Sequence, residues 1–305
     1  MFRYTAVRLI QALVVIWGVS LFVFVLTHLS GDPTSLLLPP NASQEERARF
    51  RQQMGFDRPL PVQYLDFLGR AVRGDFGNSL RHGGPAFGLV LDRVPATLTL
   101  GAFALVLSLI VAVPLGILAA LRRNTVWDGL SLVLSLFGQA VPVFWLGIML
   151  IIVFAANLRW LPASGSGTLG HLVLPGLTLA AYSVAVVTRL LRSSLIEVLS
   201  ADYIRTGRAK GVSERLIVVR HALKNAALPV ITVVGLQVGA LLGGAVITEE
   251  VFAYPGMGRL AVQAISTRDF PVIQAFVVLV AALIVSINFL VDLLYGWVDP
   301  RVQFK

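Results

Sequence analysis

Residues 202–225 read DYIRTGRAKGVSERLIVVRHALKN, a polar and strongly basic stretch set between two long apolar runs at 172–190 and 228–248. Val212, Leu216, Val219 and Leu223 recur at three- and four-residue spacing and make an apolar stripe, with Glu214, Arg215 and Arg220 off it. Gly207 and Gly211 interrupt the preceding turns, and Ser213 stands where a helix cap belongs. The pattern predicts a short helix, a glycine-permitted turn and a second short helix. Pro229 follows at the start of the next apolar run, where a missing amide is tolerated. On residues alone, such a hook is a docking surface for a partner, a helix lying on the inner leaflet, or a plain connector.

The flanking runs place the whole chain in lipid. Hydrophobic residues make up 56% of it, charged residues 13%, and its mean hydropathy is +0.80, far from soluble-domain averages. Apolar runs near 9–29, 98–121, 130–156, 172–190, 228–248 and 270–291 each reach the roughly 20 residues that cross about 30 Å of hydrocarbon. The expected fold is all-α, a polytopic membrane protein with six transmembrane helices. Runs of this length exclude the short alternating strands of a membrane barrel. The first run carries no small-residue cleavage pattern after its apolar core and reads as a retained span.

Charge sets the orientation. With the N-terminus inside, the inner segments hold Arg3, Arg8, Arg122, Arg123, eight basic residues from Arg189 to Lys224, then Arg301 and Lys305. The short outer segments hold only Arg159, Arg259 and Arg268, so both termini are expected to be cytoplasmic. The chain divides accordingly into a first transmembrane helix (1–30), an extracytoplasmic segment with short helices (31–96), and a core of five transmembrane helices (97–305) with an inner loop at 196–227. The outer segment carries eight arginines against seven acidic residues, and its length frees it from the positive-inside rule. Within it, 41–53 reads as a polar helix with Ser43 as cap and Glu45 and Glu46 in the first turn. Val62, Tyr64, Leu65, Phe67 and Leu68 form an amphipathic stretch.

Several function classes drop out. The chain has no cysteine, and its four histidines stand far apart without metal-ligand spacing, so neither a thiolate site nor a metal centre is expected. No GxxxxGK[ST] phosphate loop occurs, so any ATP that drives transport is bound by another chain. The basic inner face is explained by topology and contact with anionic membrane lipid, with no nucleic acid partner. Ionisable residues are nearly absent from the span centres; Asn288 and Asp292 near the end of the last run are the nearest to a buried polar site. Gly235, Gly239 and Gly243 lie four apart on one face of the fifth run, a stripe for close helix packing or for a pathway wall. Pro114 and Pro142 each remove a helical hydrogen bond and predict local kinks.

The segment 202–225 also resembles a known family. Asp202, Tyr203, Arg205, Thr206, Arg208, Ala209, Lys210, Gly211, His221, Leu223, Asn225 and Pro229 look like the cytoplasmic EAA loop of bacterial ABC importer permeases of the dipeptide, oligopeptide and nickel class. Gly207 stands where that subfamily usually has alanine. Further fragments follow in the family's order: Gly31, Asp32 and Pro33 after the first span, PATL at 95–98, PVFW at 142–145 with a departure from the usual serine-containing form at 139–141, and WLPASG at 160–165. EEVFAYPGMG at 249–258, with Pro255, Gly256 and Gly258, and Asp299 and Pro300 near the end complete the series.

The resemblance is to the first of two permeases, the one with a long outer segment. It implies a type I importer permease fold in the bacterial inner membrane, a heterodimer with a paralogous second permease, two cytoplasmic ATPase subunits and an extracytoplasmic solute-binding protein. The chain itself would hold no cofactor and no catalytic site; ATP and Mg would sit in the ATPases. Residues 205–225 would be the coupling element, with Leu216 and Val219 as buried contacts in an ATPase groove and Arg208, Lys210 and Arg215 at its rim. Residues 31–96 and 249–268 are candidate contacts for the binding protein. Di- or oligopeptides are the expected cargo, with nickel, glutathione or another small solute as alternatives. A self-contained secondary carrier or channel is the rival of another class.

Overall fold

The structure, a computed structural model, describes residues 2–29, 43–54 and 57–298. Gly31, Asp32, Pro33, Asp299 and Pro300 lie outside the described residues. The helices in chain order are α1 (Phe2–Leu29), α2 (Gln44–Met54), α3 (Leu60–Ala71), α4 (Ala86–Leu91), α5 (Val94–Leu121), α6 (Val126–Ala140), α7 (Val143–Asn157), α8 (Gly170–Leu199), α9 (Asp202–Ala209), α10 (Glu214–Val251), α11 (Met257–Ser266) and α12 (Phe270–Val298). The second half of α7 and the segment Ile217–Ala222 of α10 are wound as π-helix.

Among the described residues five helices are long and apolar enough to cross a membrane, and α6 with α7 makes a sixth if the bent pair counts as one span. The sequence predicts only a local kink at Pro142; the two halves meet at 107°. Pro142 takes the extended conformation of a helix cap (φ −60°, ψ 135°) and starts α7. Pro114, by contrast, lies inside the uninterrupted α5.

The chain folds as two compact units, one of Met1–Ala96 with Gly256–Ser286 and one dominated by Thr97–Pro255. In the first, α3 lies on α1: Tyr64 meets the Ser20 hydroxyl at 2.9 Å, and His28 pairs with the Gln63 side chain at 3.0 Å. An aromatic series continues inward through Phe24, Phe67, Phe76 and Phe87, with neighbouring ring centroids 5.7, 6.1 and 5.7 Å apart. The Ser79 hydroxyl donates to Asp269 at 2.5 Å, and Gln274 donates to Thr27 at 3.0 Å. Ser43 and Glu46 close a reciprocal capping box at the start of α2.

In the second unit α8 is the central helix. Along α5 the buried positions Thr97, Leu100, Ala104, Ser108, Ala112, Gly116 and Ala119 follow one face, nearly all small. That face admits close approach: a Cβ on Gly116 would lie 3.1 Å from Leu191 and from the Thr188 carbonyl. Gly138 of α6 comes nearer still, its added Cβ falling 2.8 Å from the Ala181 carbonyl oxygen. Polar side chains between the helices are paired, Ser183 with Gln237 and Thr97 with Glu249, the latter at 2.5 Å. Of the glycine stripe on α10, Gly235 is buried, Gly239 is half-buried and Gly243 faces open space. The adjacent Gly244 makes the tight contact, to Leu179.

Candidate functional site

At the end of α8 the chain turns sharply through Ser200 and Ala201 into α9, and the two helices stay joined by local bonds: the Ser200 hydroxyl donates to the Glu197 carbonyl at 2.7 Å. Asp202 stands in the first turn of α9, where the helix dipole favours its charge. Ile204 is 1% exposed and is the residue that anchors this short helix. It packs into a core of Val187, Leu191 and Leu195 from α8, Ala112 and Ala120 from α5, and Ile217, Ala222, Ala226 and Val230 from α10.

The turn after α9 is a Schellman motif. Val212 N–H donates to the Gly207 carbonyl at 3.2 Å and Gly211 N–H to the Arg208 carbonyl at 2.9 Å, with Gly211 at φ +77°. Glycine is required there because a side chain is strained at that φ. Arg208 then reaches across the turn to Glu214 with two bonds of 2.6 and 3.3 Å. That carboxylate raises the guanidinium's already high pKa. Asn225 donates to the Tyr203 hydroxyl at 2.9 Å, tying the far side of the hook to its first helix.

Two expectations are corrected. The second short helix is not separate: from Glu214 the chain runs through the π turn straight into the membrane span as α10. Ser213 occupies the cap position, yet its side chain makes no capping bond. The apolar stripe is also divided. Ile217, Val218 and Ala222 are buried inside the protein, while Leu216 and Val219 are 44% and 60% exposed. Around them Arg205, Arg208, Lys210, Arg215, Arg220 and His221 are exposed, as are Thr206 and Ala209. The arrangement is a hook anchored by one apolar face and presenting Leu216 and Val219 on a segment whose exposed charges are mostly basic, with Arg205 and Arg208 paired to Asp202 and Glu214. Such a surface fits a groove with an apolar floor and acidic edges.

Elsewhere, the break between α6 and α7 borders a cavity of about 200 Å³ lined by Gly138, Gln139, Pro142, Thr178 and Tyr182 among others. Gly256 caps α11, and Gly258 is buried within it. Tyr254 is buried beside Pro255, and burial, then the charge of Glu249, pushes its hydroxyl above the usual tyrosine range. Sequence reading passed over one constellation, the ion pair of buried Asp128 with half-buried Arg192. The signal was present: Asp128 is the only acidic residue between Asp92 and Glu197 and falls at the edge of an apolar run. Among the described residues no group of acidic and histidine side chains is placed to hold a metal ion.

The model of the binding-protein-dependent transport system inner membrane component matches residues 112–304, and that of the N-terminal part of such membrane components matches residues 1–101. The chain is 42% identical over 306 residues to the glutathione transport system permease protein GsiC of Escherichia coli K12, covering all of both chains. It is 40% identical over 316 residues to the oligopeptide transport system permease protein AppB of Bacillus subtilis, again end to end. Among solved structures, an inward-facing MetNI methionine ABC transporter chain superposes with TM-score 0.57 at 18% identity, covering 69% of this chain and 96% of that one. A chain of an amino acid ABC transporter with histidines gives 0.52 at 14% identity, covering 70% and 94%.

Proposed function

The chain belongs to the inner membrane components of binding-protein-dependent transport systems, as a permease subunit of the peptide, oligopeptide and nickel class of ABC importer, and on that premise we propose that residues 202–225 are the element through which it is driven. It is a non-catalytic, multi-pass protein of the inner membrane with the type I permease fold. In this reading the hook seats in a groove of one of two ATPase subunits, a paralogous permease completes the pathway, and residues 31–96 and 249–268 receive a solute-binding protein.

The observation that carries the reading is the exposure of Leu216 and Val219 on a hook whose other apolar face is already used by its own core. An exposed apolar patch on a water-facing element is unfavourable until a partner covers it. Closure of the paired ATPases on ATP then draws two such hooks together and biases the bundle between inward- and outward-open states, which is coupling by differential contact and needs no covalent step in this chain.

For cargo we propose a small peptide or peptide-like solute. Glutathione, itself a tripeptide, stands beside longer oligopeptides as a candidate, since relatives named for the two are 42% and 40% identical to this chain. The neutral lining of the cavity at the α6–α7 break suits an amide-bearing solute.

The test is copurification from the native membrane with identification of bound chains by mass spectrometry, comparing the native chain with Leu216→Asp. The expected result is a second permease and ATPases with the native chain, and retention of the permease alone with the variant. A chain that purifies by itself, and imports solute by itself in liposomes, is a carrier or channel, and the reading fails.

A further inference from the structure

Asp128 stands in the first turn of α6 and is 3% exposed. Its Oδ1 accepts Arg192 Nε–H at 2.5 Å, and its Oδ2 accepts Arg192 Nη2–H at 2.8 Å and the Asn124 backbone N–H at 3.0 Å. Asn124 takes a left-handed conformation, φ 60°, so the connection from α5 to α6 is folded around this carboxylate. Arg192 lies on α8 between Leu191 and Leu195, two members of the apolar core that also holds Ile204 and Ile217 of the hook. The guanidinium therefore leaves α8 within one turn of two side chains of the hook's core.

A buried ion pair seldom adds net stability over apolar residues of equal volume, and what it does supply is a fixed fork geometry. The rest of the contact shows what that geometry holds. Asp128, Ser131, Ser135 and Gly138 fall at helical spacing on α6, and the two serines are buried with their hydroxyls turned onto their own helix, at 2.9 and 2.8 Å. The seam ends where Gly138 meets the Ala181 carbonyl of α8. Ten residues separate the two fastenings on α6 (128 to 138) and eleven on α8 (181 to 192), so two antiparallel helices are fastened at matched intervals. The break at Pro142 begins one turn beyond, and the cavity beside it is lined by Gly138 and Ala181 themselves.

We propose that Asp128 and Arg192 are positioning residues that bind α6 to α8 as one rod, so that displacement of residues 202–225 is delivered to the break at Pro142. The proposal rests on the importer reading above.

The test uses the assembled complex in liposomes with radiolabelled glutathione and trialanine as probes, and three versions of this chain: native, the apolar pair Asp128→Leu with Arg192→Met, and Arg192→Lys. A second readout is the distance between spin labels on cysteines introduced at Leu130 and Ser193, both exposed in a chain with no cysteine of its own. The apolar pair, which also removes the acceptor of the Asn124 N–H, is expected to melt within a few degrees of native, to widen the label distance distribution, and to import at least about fivefold less solute per ATP, the lower edge of ordinary coupling strengths. Native import per ATP with a native label distance would overturn the proposal. Should the apolar pair fail to fold, Arg192→Lys decides, since it keeps the charge and loses the fork. It too is expected to lose coupling, and full coupling in it overturns the proposal. A native complex that imports neither probe counts against the peptide-like cargo proposed above, and the label distance then decides the role of the pair alone.

Discussion

Gly211 shows how far single residues were legible. A glycine between two helical patterns reads as a turn, and the structure places it at φ +77° in the αL position of a Schellman motif. Open space surrounds it, so strain alone decides the outcome of substitution. Gly211→Ala should cost about 1 kcal/mol and Gly211→Val more, read as falling thermal stability of the purified complex and earlier proteolysis between 209 and 214. A Gly211→Val chain as stable as the native one would show that the turn relaxes without cost. Leu216 and Ile217 show the opposite case. Regular 3.6-residue periodicity puts Leu216 and Val219 on the same face as Leu223 and leaves Ile217 outside. The structure reverses this, with Ile217 1% exposed and Leu216 44%. No pattern of residue types marks a π turn, because its cause is packing against α8 and α5 rather than any local preference.

At the scale of elements, that π turn has a specific use. Ile217 and Ala222 are five apart, a spacing that points to different faces in an α-helix, yet both are buried in one core with Ala226 and Val230. One extra residue has been taken up without moving the anchor. Deleting Val219 brings Ile217 and Ala222 to α-helical spacing, so the hook should keep its seat and lose an exposed apolar contact. The expected outcome is a melting temperature within a few degrees of native with ATPase retention much reduced, measured by copurification. Deleting the exposed Leu228 from the regular part of α10 turns everything before it by about 100° and should unseat the hook altogether. Equal damage from both deletions would mean that the π turn itself is needed for folding. The broken pair α6–α7 was half legible for a related reason: hydropathy measures the length of an apolar run and is blind to its direction. Pro142 marked the place, but the 107° angle follows from the close approaches of Gly138 to Ala181 and of Gly147 to Val251 and Phe252.

For the whole molecule the reading from composition holds best, because lipid imposes one rule on every backbone group and leaves few solutions. The number of apolar runs agrees with five straight spans and one broken one. Arginine and lysine placement further predicts the sidedness of each connection. Alkaline phosphatase fused after Gly83 or Gly165 should be active, and a fluorescent reporter fused after Asn124 or Gly211 should fluoresce. The reverse pattern at any two of these sites would invert the topology and remove the hook from the side where nucleotide is available. What composition does not reach is the internal wiring. Pairs such as Asp128 with Arg192 and Thr97 with Glu249 join residues 64 and 152 positions apart, and only the packed helices bring them together.

The length of α8 has a consequence for handling the intact assembly. Its 30 residues extend about 45 Å, against about 30 Å of hydrocarbon. Counted from Arg189, the first charge past its apolar stretch, the last ten residues run about 15 Å along the inner end of α5, where Leu191 and Leu195 share a core with Ala112 and Ala120, and lead into α9. In the proposed assembly, a subunit seated on this end meets a protein surface whose exposed side chains include Arg205, Lys210, Arg215 and Arg220. Its attachment should therefore loosen in concentrated salt, which screens those exposed cations.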